Sequence, residues 1–134
     1  MTPGVEFSRG VGLQRVAESV TRDESRRGEI LFFCDIDLVF SKVILSHIRR
    51  NTVAGKQVYY PVSFSQYDPS RAYPWQSKPL SPFHFDEKYG YWRRFGYGMV
   101  AIYGSDFMRI PGFDLTIRGW GMEDVQLVRL DSFW

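Results

Sequence analysis

Between residues 7 and 20 the apolar side chains Val11, Leu13, Val16, Ala17 and Val20 recur at helical spacing while Arg15, Glu18 and Ser19 take the other side, which predicts an amphipathic helix. Residues 21–29 hold three arginines, three acids and no large apolar side chain, the pattern of a solvated loop. Ile30 to Cys34 is a continuous apolar run of strand length, halted by Asp35 and Asp37. An uninterrupted run of this kind predicts a central strand buried on both faces. Ser41 is expected to cap a helix reaching about Asn51, with Val43, Ile44, Leu45 and Ile48 as its buried stripe and Arg49 and Arg50 at its terminal carbonyls. Residues 57–64 have strand composition interrupted by Pro61, which favours an edge. Residues 65–90 hold Pro69, Pro74, Pro79 and Pro82 and read as a long irregular passage. A strand at 97–103, a short turn capped by Ser105 and closed by Pro111-Gly112, and a helix over 123–130 complete the chain. Strands and helices alternate, so the fold class is α/β, a mixed central sheet flanked by helices.

With 134 residues the chain has room for one small core, and an apolar share of 44% against a charged share of 24% excludes collagenous and wholly disordered classes. Seventeen Lys and Arg against fifteen Asp and Glu leave a formal charge of +2, too near balance for a strongly basic nucleic-acid binder, so no nucleic-acid partner is expected. The single cysteine, Cys34, forbids an internal disulfide and a cysteine metal cluster, and reads as a small buried hydrophobe. No stretch approaches the roughly 20 apolar residues of a membrane-spanning helix. The last helix is barely begun when the sequence stops at Trp134, and few strands are recognisable, so the chain is expected to be a fragment.

Two acidic clusters carry candidate chemistry. Asp35-Ile36-Asp37 follows the buried strand; continued alternation would point both carboxylates to one side and Ile36 to the core. Ligands in open α/β sheets collect beyond the carboxyl ends of strands, and one or two carboxylates there suit Mg²⁺ or Mn²⁺ bound with a nucleotide diphosphate. The plainer alternative for such a triplet is a solvated loop or a helix cap. In Gly119-Trp120-Gly121-Met122-Glu123-Asp124 the glycines permit close approach of a backbone or ligand, Trp120 offers a flat face for a sugar, and a carboxylate beside it could take a hydroxyl proton. A turn with a core tryptophan and two acids opening a helix is the alternative here.

Phe32-Phe33-Cys34-Asp35-Ile36-Asp37, Asn51-Thr52 through Gly55-Lys56, Tyr60-Pro61 with Phe64-Ser65-Gln66-Tyr67, and Gly112-Phe113-Asp114 followed by Gly119-Trp120-Gly121-Met122-Glu123-Asp124-Val125 stand in an order and spacing that resembles the chondroitin synthase and chondroitin N-acetylgalactosaminyltransferase family. The likeness runs from about Phe7 to Leu130. It implies a partial GT-A glycosyltransferase domain over residues 1–134, related to the β-1,4-galactosyltransferases, that moves N-acetylgalactosamine or a related hexose from a UDP-sugar to a glycosaminoglycan acceptor with inversion. By the same resemblance Asp37 is the metal-binding acid for a divalent ion, Mn²⁺ by expectation. Asp35, Trp120 and Gly121 meet the substrates, Asp124 is the general base, and Glu123 is its partner. Family members often carry an acid where this chain has Gln126. The early nucleotide-binding strands, a downstream histidine of the metal shell and a Golgi signal-anchor are expected outside these residues, and a related glycosyltransferase subunit is an expected partner. His47 and His84 are read as solvated or structural.

Two other readings remain open: a noncatalytic polymerising partner of the same family, and a sugar-binding module using Trp75, Trp92, Tyr73, Tyr89 and Tyr91 with basic residues such as Arg93.

Overall fold

A computed structural model describes residues 6–72, 78–93, 98–119, 121–123 and 127. The chain divides into two compact units, Met1–Pro61 with Tyr97–Trp134, and Val62–Gly96. The elements mix α and β, as expected, and are compatible with a partial glycosyltransferase fold.

In the larger unit, helix α1 (Arg9–Thr21) opens at Ser8, whose hydroxyl accepts from the Val11 N–H at the helix start and donates to the Ile117 carbonyl at 2.8 Å. The inward face of α1 is Gly10, Leu13, Ala17 and Thr21, while Val16, expected to face inward, is 62% exposed. Gly10 on that face lies against the Asp114 carbonyl and Phe113. A 3₁₀ turn (Glu24–Arg26) sits within the expected solvated loop. Strand β1 (Ile30–Phe33) pairs antiparallel with β4 (Val100–Tyr103), Phe33 facing Val100 and Ile30 facing Tyr103. On its other edge β4 exchanges two backbone hydrogen bonds between Ala101 and Tyr59.

Among the described residues the centre of this sheet is therefore β4 rather than β1. Val100, Ala101 and Ile102 are buried, whereas in β1 only Phe33 is. Phe33 packs with Phe107 and Phe113 at ring separations of 5.5 and 5.1 Å, and Ala17, Ile102 and Leu127 close the core around them. Such a cluster supplies most of the driving force for folding this unit, at about 1.5–3 kcal/mol per large apolar side chain buried.

Three expected details change. Helix α2 (Val43–Asn51) begins after Lys42 without a side-chain cap, so Ser41 contributes its carbonyl to the Ile44 N–H and not its hydroxyl. Of its apolar stripe only Ile48 is buried; Val43 and Leu45 are exposed. Helix α4 (Gly104–Phe107) starts after Tyr103, so Ser105 lies inside it rather than capping it.

The unit Val62–Gly96 holds what reads in sequence as an irregular passage. Strand β2 (Phe64–Gln66) pairs antiparallel with β3 (Gly90–Trp92), with the short helix α3 (Pro69–Ala72) between them in sequence. Phe64 stacks edge-on against Phe85 and Trp92 at 5.4 and 5.2 Å, which gives the unit an aromatic core of its own. Gly90 is required there, because a side chain at that position would run into the Ser65 carbonyl.

Candidate functional site

The site is assembled by backbone pairing between distant parts of the chain. Phe7 and Arg9 flank Ser8 in a short parallel bridge to Gly119: the Gly119 N–H donates to the Phe7 carbonyl at 2.8 Å, and the Arg9 N–H donates to the Gly119 carbonyl at 3.0 Å. Gly10 follows, where an added Cβ would stand 3.6 Å from that of Glu123. This stitching sets Arg9, the first residue of α1, beside the second acidic cluster. Its guanidinium then forks. One nitrogen donates to Glu123 Oε1 at 2.7 Å and the other to Asp35 Oδ1 at 2.7 Å.

Arg9 is the functional candidate that sequence reading missed, and it is the link between the two acidic clusters. A signal was present. A cation in the first turn of a helix opposes the helix dipole, and α1 has no acid in its first turn to offset it. Such a residue needs carboxylates from elsewhere, and the two clusters supply them.

Glu123 is 1% exposed, and its Oε2 is buried with no hydrogen-bond partner among the described residues. A buried acceptor left in that condition costs about 1–3 kcal/mol. The backbone before it is unusual: Gly121 stands at φ 109° and Met122 at φ 71°. Glycine takes the first without strain, whereas Met122 holds a left-handed conformation at a cost. At Gly121 this backbone conformation is itself what favours glycine.

The first cluster differs from the expectation. The strand ends at Phe33 and the chain turns at Ile36-Asp37, so alternation does not carry through the triplet. Ile36 is 105% exposed rather than core-facing. Asp35 is partly buried against Arg9, and Gly98 leaves room for it: a Cβ at 98 would stand 2.9 Å from Asp35 Oδ2. Asp37 is exposed and has no hydrogen bond or ion pair among the described residues. Just before them, Cys34 is partly buried; burial pushes its thiol pKa up, the neighbouring Asp35 carboxylate adds to this, and Arg9 opposes it.

Among the described residues no group of three His, Cys, Asp or Glu side chains gathers to hold a metal. A single open carboxylate, Asp37, nevertheless fits a hard cation whose remaining ligands are phosphate oxygens and water. His47 is exposed on α2, and His84 packs on Tyr89 at 4.9 Å with Nδ1 accepting from the Leu80 N–H. Trp120, Asp124 and Gln126 lie outside the described residues, as do Tyr73 and Trp75.

A profile of the family described as "Chondroitin N-acetylgalactosaminyltransferase" matches residues 1–130. Chondroitin sulfate synthase 3 of Homo sapiens is 45% identical over 122 residues, 91% of this chain and 13% of its own length. Chondroitin sulfate N-acetylgalactosaminyltransferase 1 of Homo sapiens is 46% identical over 127 residues, 92% of this chain and 23% of its own length. Chondroitin sulfate N-acetylgalactosaminyltransferase 2 of the same organism is 42% identical over 127 residues. The chain thus spans less than a quarter of the length of these relatives. No solved structure matches it.

Proposed function

The chain belongs to the chondroitin N-acetylgalactosaminyltransferase family, and from that premise we propose that it is part of a glycosyltransferase catalytic domain that transfers N-acetylgalactosamine from a UDP-sugar to a chondroitin acceptor with inversion. The observation that carries this reading is the buried Glu123 Oε2, without a donor among the described residues, beside a guanidinium already committed to two carboxylates. A hydroxyl of a sugar is the donor that suits it.

In this reading Asp124 accepts the proton of the attacking acceptor hydroxyl. The hydroxyl oxygen bonds to the anomeric carbon as the bond from that carbon to the UDP oxygen breaks, and UDP departs with the electron pair. Inversion follows from attack opposite the leaving group, through an oxocarbenium-like transition state. Glu123 orients a sugar hydroxyl through Oε2, and Trp120 provides a flat face for a ring. General base action contributes about 10²- to 10⁴-fold, and fixed orientation of both sugars contributes much of the remainder. Asp35 meets the nucleotide sugar. Asp37 would hold a divalent cation, Mn²⁺ by preference, whose chemistry when bound is to offset the charge of the diphosphate.

The proposal extends to the setting: a Golgi-lumenal enzyme tethered by a segment outside these residues, working with a related glycosyltransferase subunit. Among the described residues no helix is long and apolar enough to cross a membrane. The test is calorimetric titration of UDP with and without Mn²⁺. Mn²⁺ is expected to strengthen UDP binding, and Asp37→Ala to remove that gain. Metal-independent binding of chondroitin without any UDP affinity would instead favour a sugar-binding module.

A further inference from the structure

The strand pair of the smaller unit has two different faces. Its register sets Ser65 opposite Tyr91 and Phe64 opposite Trp92, and because side chains alternate along a strand the two pairs point to opposite sides. Phe64 and Trp92 close on Phe85 to form the aromatic core of the unit. The pairing runs one step further at each end, where the Tyr67 N–H donates to the Tyr89 carbonyl and the Arg93 N–H to the Ser63 carbonyl, both at 2.8 Å. Tyr67 and Arg93 therefore join Ser65 and Tyr91 on the second face, while Tyr89 is buried.

That second face is open to water yet organised. Tyr67 and Tyr91 are 41% and 50% exposed, with ring centres 6.0 Å apart. Arg93 is exposed, and its Nε donates to Ser65 Oγ at 2.8 Å, which pins the guanidinium to the strand face. Its two terminal nitrogens, which lie in the plane of the group and can fork a carboxylate, have no partner among the described residues. Nearby acids are engaged by other cations, Asp68 by Arg71 at 3.6 Å and Asp86 by Lys88 at 3.7 Å. Tyr91 and Arg93 are same-face neighbours about 6.6 Å apart along the strand, so a ring packed on the tyrosines lies within reach of the guanidinium. Flat apolar faces next to an unopposed planar cation complement a ring that carries an anion.

We propose that Ser65, Tyr67, Tyr91 and Arg93 form a binding face for a uronate-bearing glycan: a sugar ring packs on the two tyrosines while a uronate carboxylate is forked by Arg93, which Ser65 holds in place. The glycan is the chondroitin acceptor, an identity that rests on the glycosyltransfer reading.

The experiment is calorimetric titration of the protein, Arg93→Gln and Tyr91→Leu with three probes: a chondroitin hexasaccharide, the same hexasaccharide with its carboxylates reduced to alcohols, and UDP with Mn²⁺. Both positions are exposed, so the variants keep the fold. Arg93→Gln is expected to weaken the hexasaccharide by about 5- to 10-fold, the scale of one charge-assisted pair, and to leave the reduced glycan unchanged, because the interaction it removes needs both partners. Tyr91→Leu is expected to weaken both glycans alike by about 3- to 10-fold, since packing against a ring does not read charge. Hexasaccharide affinity unchanged in Arg93→Gln, or an equal loss for both glycans in that variant, overturns the proposal. So does a loss of UDP affinity in Arg93→Gln with the hexasaccharide unaffected, which would make the fork a diphosphate site. A protein whose hexasaccharide affinity follows the expected pattern but which transfers nothing from UDP-N-acetylgalactosamine supports the binding face and strikes the glycosyltransfer reading instead.

Discussion

At the scale of single residues, the site rests on what neighbours leave room for. Gly98 lies against Asp35 Oδ2, and Asp35 cannot swing away without breaking its 2.7 Å bond to Arg9. Gly98→Ala is therefore expected to destabilise the fold by about 1–3 kcal/mol, read by urea denaturation, and to reduce any UDP-sugar binding with it. Cys34 gives a pH signature. Its folded thiol pKa is raised above that of an unfolded thiol, so the folded state holds its proton more tightly. That contribution to stability is fully present below about pH 8.5, the ordinary thiol value, and is lost as pH rises through the folded pKa. Cys34→Ala is expected to flatten the stability loss on the alkaline side, measured as the midpoint of urea unfolding from pH 7 to 10; an identical slope in the variant would contradict it. The acidic triplet shows where residue-level reading stops. Its composition pointed to metal chemistry, but the turn after Phe33 sends Asp35 to Arg9 and leaves Ile36 and Asp37 in solvent, because a period of two holds only while the strand lasts.

Elements were legible in proportion to how local their causes are. Helix α1 was readable to within two residues at either end, because its apolar spacing is written in neighbouring positions. Ser8→Ala removes the cap to Val11 and the bond to Ile117 together, and is expected to cost about 1–2 kcal/mol by thermal or chemical unfolding. The apolar run 30–34 was correctly a strand but not the central one. Centrality depends on which strands flank it, and here β4 takes Tyr59 on the side away from β1. The same nonlocal cause explains α2, where a stripe with helical period was present but only Ile48 found a cover among the described residues. The β2–β3 pair was hidden by prolines that fall between its strands rather than in them. Ile102, 1% exposed on β4, tests the revised centre: Ile102→Ala is expected to cost about 2–5 kcal/mol, and a cost under 1 would return the centre to β1.

For the molecule as a whole, the resemblance assigned the two acidic clusters to one transfer site, but the contact that joins them was not legible. They lie almost ninety positions apart, and the residue that joins them comes from neither. Arg9 stands beside them because residues 7–9 pair with Gly119, a contact across more than one hundred positions that no local pattern announces. The family resemblance supplied the chemistry, and the profile match over residues 1–130 bears it out at the level of family. The most direct measurement is transfer of labelled N-acetylgalactosamine from its UDP donor to a chondroitin hexasaccharide by the protein and by its Glu123→Gln variant, with Mn²⁺ present. The account expects measurable transfer that falls by about 10²-fold in the variant, as when an oriented hydrogen-bond acceptor is removed from a reacting sugar. Transfer that persists at full rate in Glu123→Gln, with its fold intact, would contradict it.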